Sequence, residues 1–298
     1  MPMSAEGQEV LRGLESTKGR AIMNVFNCAA VRMTFAATLV SVAVAAPAYA
    51  QRAGEAFEVP GVDNFFGAAV GVIPDYMGSN DYMIGAAPAG VFSFGDTDRY
   101  LRLVVTDLNL NVIDSPNWSF GPALNYRFGR KNVDDNAVDH MKDIDGTVEL
   151  GAFGGWTWVG DDPRHRFSVG TEFLHDVGGE HDGFIVTGSM RYYKPVLRPL
   201  TLSIGASLTY GSSDYMDTYF GVNSGNVGSS GLSSYDADAG LRDFRVPLMA
   251  IFSFSESWHV GGGVIYTRML GNAADSPVVD DRGSKNQFYA GLGVAYAW

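Results

Sequence analysis

The chain has 298 residues, 33 of them acidic and 21 basic, with a net charge of −12 and 37 glycines. That balance excludes the basic surface that nucleic acid requires. No run of about 18 apolar residues lies beyond residue 50, which excludes a bundle of membrane-spanning helices.

At the N-terminus, Arg32 precedes the apolar run "MTFAATLVSVAVAAPAYAQ" (33–51), which ends in the small-residue pattern Ala48-Tyr49-Ala50. A charge, a short apolar core broken by Pro47 and an A-x-A site form a secretory signal, with cleavage expected after Ala50. Residues 1–50 are therefore taken as an extension plus a cleavable signal for Sec-type export, in which Met1, Met23 and Met33 are alternative starts. The one cysteine, Cys28, falls in that segment. Beyond residue 50 there remain 17 basic and 30 acidic side chains, a net charge of −13, and no thiol for a disulfide, a metal or a nucleophile. Residues 51–63 are read as a short free periplasmic tail and 64–298 as one domain.

Period-two alternation then runs along nearly the whole chain. "NWSFGPALNYRF" sets Trp118, Phe120, Leu124, Tyr126 and Phe128 against Ser119, Gly121, Ala123, Asn125 and Arg127. "TLSIGASLTY" sets Leu202, Ile204 and Leu208 against Ser203, Gly205 and Ser207. The second parity is small rather than charged, which suits a crowded barrel interior better than a solvated sheet face. Twelve strands are predicted, at 64–73, 82–94, 99–106, 108–114, 117–128, 144–158, 164–177, 182–194, 199–211, 241–254, 257–270 and 286–298. The third and fourth are the weakest because the link at Thr106-Asp107 is very tight. Short links (95–98, 114–116, 161–164, 197–199, 255–257) alternate with a set containing three long ones (129–143, 212–240, 271–285). The fold expected is an all-β, transmembrane, antiparallel up-and-down barrel with short periplasmic turns and longer extracellular loops. The chain finishes on "QFYAGLGVAYAW", and Trp298 is read as a barrel-end insertion signal in the outer membrane.

Arg127, Glu149, Glu172, Arg191 and Arg245 have inward parity. Opposite charges on strands 5–6 and 7–8 are expected to form a lumen ladder, either stiffening a narrow barrel or lining a polar pore. Pro74, Tyr76 and Tyr82 in "PDYMGSNDY", with Tyr215, Tyr219 and Phe220 in "DYMDTYFGV", form an aromatic-polar loop cluster, either a cap or a binding surface. The histidines (140, 165, 175, 181, 259) show no pairing with serine, so no catalytic residue is assigned. The acidic loop residues, Asp134, Asp135, Asp139, Asp143, Asp145, Asp275, Asp280 and Asp281, lack calcium-loop spacing. They are read as a solvated rim facing outer-membrane lipid and lipopolysaccharide, and no metal or cofactor site is assigned.

"GVIPDYMGSNDY" (71–82), "DTYFGV" (217–222), "DAGLRDF" (238–244), "MLGNAADSPVV" (269–279) followed by "GSKNQ", and the aromatic end occur in order across 64–298. In these pieces the chain resembles the MipA/OmpV family of outer-membrane proteins, departing from its pattern at Asn272, where Asp is expected. The resemblance implies a non-enzymatic scaffold linking the outer membrane to a lytic transglycosylase and a murein synthase. The alternatives are a narrow channel or uptake barrel for small solutes, or a surface adhesin. The family brings no catalytic residues.

Overall fold

The computed structural model describes residues 58–298; the signal segment, its cleavage site and residues 51–57 lie outside the described residues. Twelve strands follow one another around a closed barrel: β1 Phe65–Pro74, β2 Tyr82–Ser93, β3 Tyr100–Val104, β4 Asp107–Asn111, β5 Trp118–Arg127, β6 Thr147–Val159, β7 Arg166–Asp176, β8 Phe184–Pro195, β9 Leu200–Gly211, β10 Gly240–Ser253, β11 Trp258–Met269 and β12 Asn286–Ala297. Every neighbouring pair is antiparallel. The ring closes where β12 meets β1, in a register running from Phe65↔Ala297 to Val72↔Ala290. Closure removes the free sheet edges that hydrocarbon does not tolerate, except at the loop end between β2 and β5, where the short β3 and β4 do not reach.

The alternation is inverted relative to a soluble sheet. On β5, Trp118 and Phe120 point outward at 60% and 53% exposure, while Ala123, Asn125 and Arg127 are buried. Outward aromatics gather at both ends of the wall. Phe92, Trp258, Tyr296 and Trp298 cluster at the turn end, with Trp258 and Tyr296 centroids 5.1 Å apart and Tyr296 and Trp298 stacked at 6.3 Å. Phe173, Phe184 and Tyr210 do so at the loop end. Two such girdles around an apolar band match the two interfaces of a bilayer.

Residues 58–63 depart from the expected free tail. Val59 is buried against Phe65, Ala89, Ala295 and Ala297, and Glu58 accepts a hydrogen bond from Tyr193 Oη at 3.0 Å. The small inward residues at the turn end leave room for this segment, so it enters the barrel rather than hanging from it.

The long loops are also folded. They hold helices α1 Asn136–Asp139, α2 Ser213–Phe220, α3 Ser224–Ser230, α4 Gly271–Asp275 and α5 Pro277–Asp280. Asp135, Ser212, Asn223 and Ser276 cap four of them through side-chain oxygens. Tyr76, Val133, Val138, Met141, Val222, Leu232 and Val278 form an apolar core drawn from four loops. The 75–81 loop is pinned by the start of β12. Gln287 Oε1 accepts from Gly78 N at 3.0 Å, Gln287 Nε2 donates to Ser79 O at 3.0 Å, and Ser284 N donates to Gly78 O at 2.7 Å. Gly78 has φ +98°, and a Cβ there would collide with Val279, so the turn in "YMGSN" requires glycine twice over.

Candidate functional site

A polar network fills the loop-end mouth. In the β5–β6 register Arg127 faces Thr147 and Asn125 faces Glu149, so Arg127 reaches Glu149 diagonally. Arg127 Nε and Nη2 donate to the two Glu149 oxygens at 2.7 and 2.8 Å, and both side chains are fully buried. Asn125 Nδ2 donates to Glu149 Oε2 at 2.6 Å, and His181 Nε2 lies 3.1 Å from Oε1. Helix α2 inserts Tyr215 into this group. Its hydroxyl accepts from Arg242 Nη1 at 2.5 Å and from Arg127 Nη1 at 3.4 Å, and the Arg127 guanidinium lies 5.1 Å from the ring centroid. On β10, Asp243 bonds both Arg242 and Arg245, the latter at 2.9 Å from Nε. Asp176 closes the neighbouring loop by accepting from Thr147 Oγ1 at 2.5 Å and from the amides of Gly178, Gly179, His181 and Asp182.

The sequence-predicted residues separate into three places. Arg127, Glu149, Tyr215 and Tyr219 meet in the mouth, with Phe220 buried beside them in the same cluster. Arg245 is bound by Asp243 of its own strand. Tyr76 is buried in the cap core and Pro74 ends β1, whereas Tyr82 faces outward at 41% exposure and its hydroxyl accepts from Phe288 N at 3.3 Å.

The expected ion pair between strands 7 and 8 is not formed. Glu172 faces Thr187 and Arg191 faces Ser168, four residues apart in register, or about 13 Å along the strand. Glu172 instead accepts from Asn109 Nδ2 at 2.9 Å, and the Arg191 guanidinium lies 6.0 Å from the Tyr193 ring. Both line a chamber of about 230 Å³ in the lower lumen, with Glu58, Arg102 and Asn125. The opposite side of the lumen is apolar, where Val104, Val105, Met249, Ile265 and Tyr289 fill the space over the glycines and alanines of β1, β2 and β12.

Arg242 has outward parity in strict alternation, yet it is fully buried. A bulge between Leu241 and Asp243 shifts the register against β9 and turns it inward. A serine–histidine contact is also present, contrary to expectation: His259 Nδ1 lies 2.8 Å from Ser253 Oγ, its cross-strand neighbour. His259 Nε2 is buried without a hydrogen-bond partner, so the ring lacks the carboxylate that orients a nucleophile's base. Among the described residues no cluster of His, Cys, Asp and Glu is arranged to hold a metal ion. Four of the rim acids have cationic partners: Asp135 with Arg282 at 2.8 Å, Asp145 with Lys131, and Asp275 and Asp280 with Lys285 at 3.4 and 2.9 Å. Burial pushes the Asp135 carboxyl up, but the Arg282 hydrogen bond and the Val138 amide outweigh it and hold the group below the usual carboxylate value.

A closed antiparallel wall, apolar outside and polar within, with short turns at one end and folded loops at the other, defines an outer-membrane β-barrel protein. The family described as "MltA-interacting protein MipA" matches residues 66–298, and the chain belongs to it. Among curated relatives it is 30% identical over 161 residues to outer membrane protein OmpV of Vibrio cholerae, covering 54% of this chain and 58% of that protein. It is 26% identical over 154 residues to the MltA-interacting protein of Escherichia coli K12, covering 51% of this chain and 58% of that protein. The chain thus spans little more than half the length of the curated relatives it matches. Similar solved structures include the NanC porin, with a TM-score of 0.46 at 9% identity over 78% of this chain and all of that one. The COG4313 outer membrane channel of Pseudomonas putida gives a TM-score of 0.45 at 11% identity over 82% of this chain and 98% of that one.

Proposed function

We propose that the protein is a non-enzymatic scaffold of the outer membrane that holds murein-active enzymes at its periplasmic face. The observation that carries this reading is the filled mouth. Arg127, Glu149, Tyr215, Phe220 and Arg242 are each buried to 1% exposure or less, so the loop end of the barrel is given over to packing rather than to a path. A barrel built in this way supplies a rigid anchor. The name of the E. coli relative, MltA-interacting protein, supports an enzyme partner of the murein-degrading class. The family resemblance adds a murein synthase.

Such partners lie on the turn side. There the links 95–98 and 114–116 bring Asp96, Asp98 and Asp114 into one acidic patch, with Asp114 Oδ1 accepting from Asp98 N at 2.9 Å, while Arg164, Arg166, Lys194 and Arg198 make the far side of the rim basic. An acidic patch of this kind favours a basic partner surface through steering and register. Outer-membrane lipid surrounds the wall, and lipopolysaccharide faces the loop rim. The test is crosslinking in intact cells followed by denaturing purification of the tagged barrel. The expected result is recovery of a lytic transglycosylase or a murein synthase, reduced when Asp96, Asp98 and Asp114 are replaced by Asn. Recovery of neither enzyme from cells that express both would sink the scaffold reading.

A further inference from the structure

Behind the mouth lies a smaller cavity of about 50 Å³, whose lining includes Pro74, Phe128, Arg127, Arg130, Tyr219 and Arg245. Three arginines, from β5, the loop after it and β10, line it, and its lining holds no carboxylate. Glu149 and Asp243, which bind Arg127 and Arg245, lie outside the lining and fix those two side chains in place. Arg130 is oriented by donating to Tyr219 O at 3.2 Å. Tyr219 is buried to 5% exposure, and its hydroxyl has no hydrogen-bond partner. A buried phenol hydroxyl left in this way is costly unless something that belongs in the cavity accepts from it. By the measure in which one water needs about 10–15 Å³, the cavity holds about four waters, roughly the space of one tetrahedral oxyanion.

The wall beside this cavity is incomplete. β3 and β4 have five residues each, so toward the loop end the pairing of β2 stops at Pro88, whose carbonyl accepts from Val105 N, and that of β5 stops at Asn125. Among the described residues, Tyr82–Ala87 have no strand on that side, and Ile84 at their centre is 77% exposed. An open edge does not stand in hydrocarbon. The notch is therefore a place where water and lipid headgroups reach the wall, between Pro74 on one flank and Phe128 and Gly129 on the other.

We propose that this cavity binds a phosphate group, free or carried by a lipid headgroup, held by Arg127, Arg130 and Arg245 with the Tyr219 hydroxyl as a further donor. Guanidinium forks match the paired oxygens of a phosphate, and donors fixed before binding lose little entropy on contact. The site is independent of the scaffold reading, because it needs no protein partner.

The test uses the full chain, refolded in dodecyl maltoside, with heat-modifiable mobility as the check of folding. One arm titrates inorganic phosphate and follows ³¹P line broadening; the other titrates phosphatidic acid against phosphatidylcholine in mixed micelles. Saturable binding of inorganic phosphate identifies a free-anion site, and saturation by phosphatidic acid alone identifies a headgroup site reached from the bilayer. Either result supports the proposal, provided that Tyr219→Phe weakens binding about tenfold, as for a lost hydrogen bond to a charged group, and Arg130→Gln weakens it further. No saturable binding in either arm overturns it, as does binding that both folded variants leave unchanged.

Discussion

Glu149 is the residue on which the mouth turns. Its two oxygens take four contacts, two from Arg127 and one each from Asn125 and His181, with no water-exposed surface. Replacing it with Gln keeps the shape but leaves the Arg127 charge without its counter-ion in a buried site. Breaking one partner of such a pair costs about 3–5 kcal/mol. The urea midpoint of Glu149→Gln, read from heat-modifiable mobility, should fall accordingly, and the double variant with Arg127→Met should recover part of the loss. A midpoint equal to wild type would show that Tyr215 and Arg242 hold the mouth alone. Inward parity made Arg127 and Glu149 legible in the sequence, since alternation along a strand assigns faces directly. It could not reveal Arg242, because one bulge inverts the rule locally, nor His181, whose loop folds back under Asp176. Asn272 carries a further residue-scale lesson. Its Nδ2 donates to Asp238 O at 2.9 Å, a bond that the Asp expected from the family pattern cannot make.

Among the elements, the strands were legible and the loop helices were not. Strand periodicity is imposed by the bilayer outside and the crowded lumen inside, so it is written into every second residue. The helices α1 to α5 run from four to eight residues, too short to hold together on their own. They form because caps and the shared core of Tyr76, Val138, Val222 and Val278 support them, and that core exists only once the barrel brings four loops together. The cap of α1 gives a pH-dependent prediction. Asp135 accepts from Ala137 N and Val138 N at 3.0 Å each while pairing with Arg282. A carboxyl held below its unfolded value of 3.8 stabilises the fold above that pH and loses the contribution as pH falls through its lower folded value. Hydrogen exchange at Ala137 and Val138, corrected for intrinsic rate, should therefore accelerate below about pH 4. Arg282→Gln should move the onset upward, toward 3.8. Asp75 works in the opposite sense. Burial raises it, the Asp134 amide opposes this, and the nearby charges of Asp134 and Asp81 raise it again, so its contribution is lost as pH rises. The two groups partly cancel in global stability, which is why the local amides are the proper readout. Exchange at those amides that does not change with pH would rule out the Asp135 cap as the contact that holds α1.

At the scale of the whole molecule, strand number and closure followed from the alternation and the loop lengths, because an up-and-down barrel has only one way to connect twelve such strands. What fills the lumen did not follow. Twelve strands lie between barrels filled by side chains and open porins, and the outcome depends on contacts between residues far apart in sequence, such as Tyr215 against Arg127 and Arg242. In the folded chain the mouth is packed, so the protein in planar bilayers should show no steady conductance. Removing residues 213–236 takes out α2 and α3 together with Tyr215, Tyr219 and Phe220, and joins ends that already sit at the rims of β9 and β10. If that variant keeps its heat-modifiable fold, it should conduct. Its current should favour anions, because four guanidinium groups, those of Arg127, Arg130, Arg242 and Arg245, would then face water beside the carboxylates of Glu149, Asp176 and Asp243. The milder Tyr215→Ala keeps the loops and should give brief openings rather than a steady current, since Phe220 and Met216 still occupy the mouth. Steady conductance in the unaltered protein, or silence in a folded 213–236 deletion, would each show that the barrier lies elsewhere than in α2. The second outcome would move it down to the chamber that Glu58, Arg102 and Arg191 line, where the N-terminal segment enters the barrel.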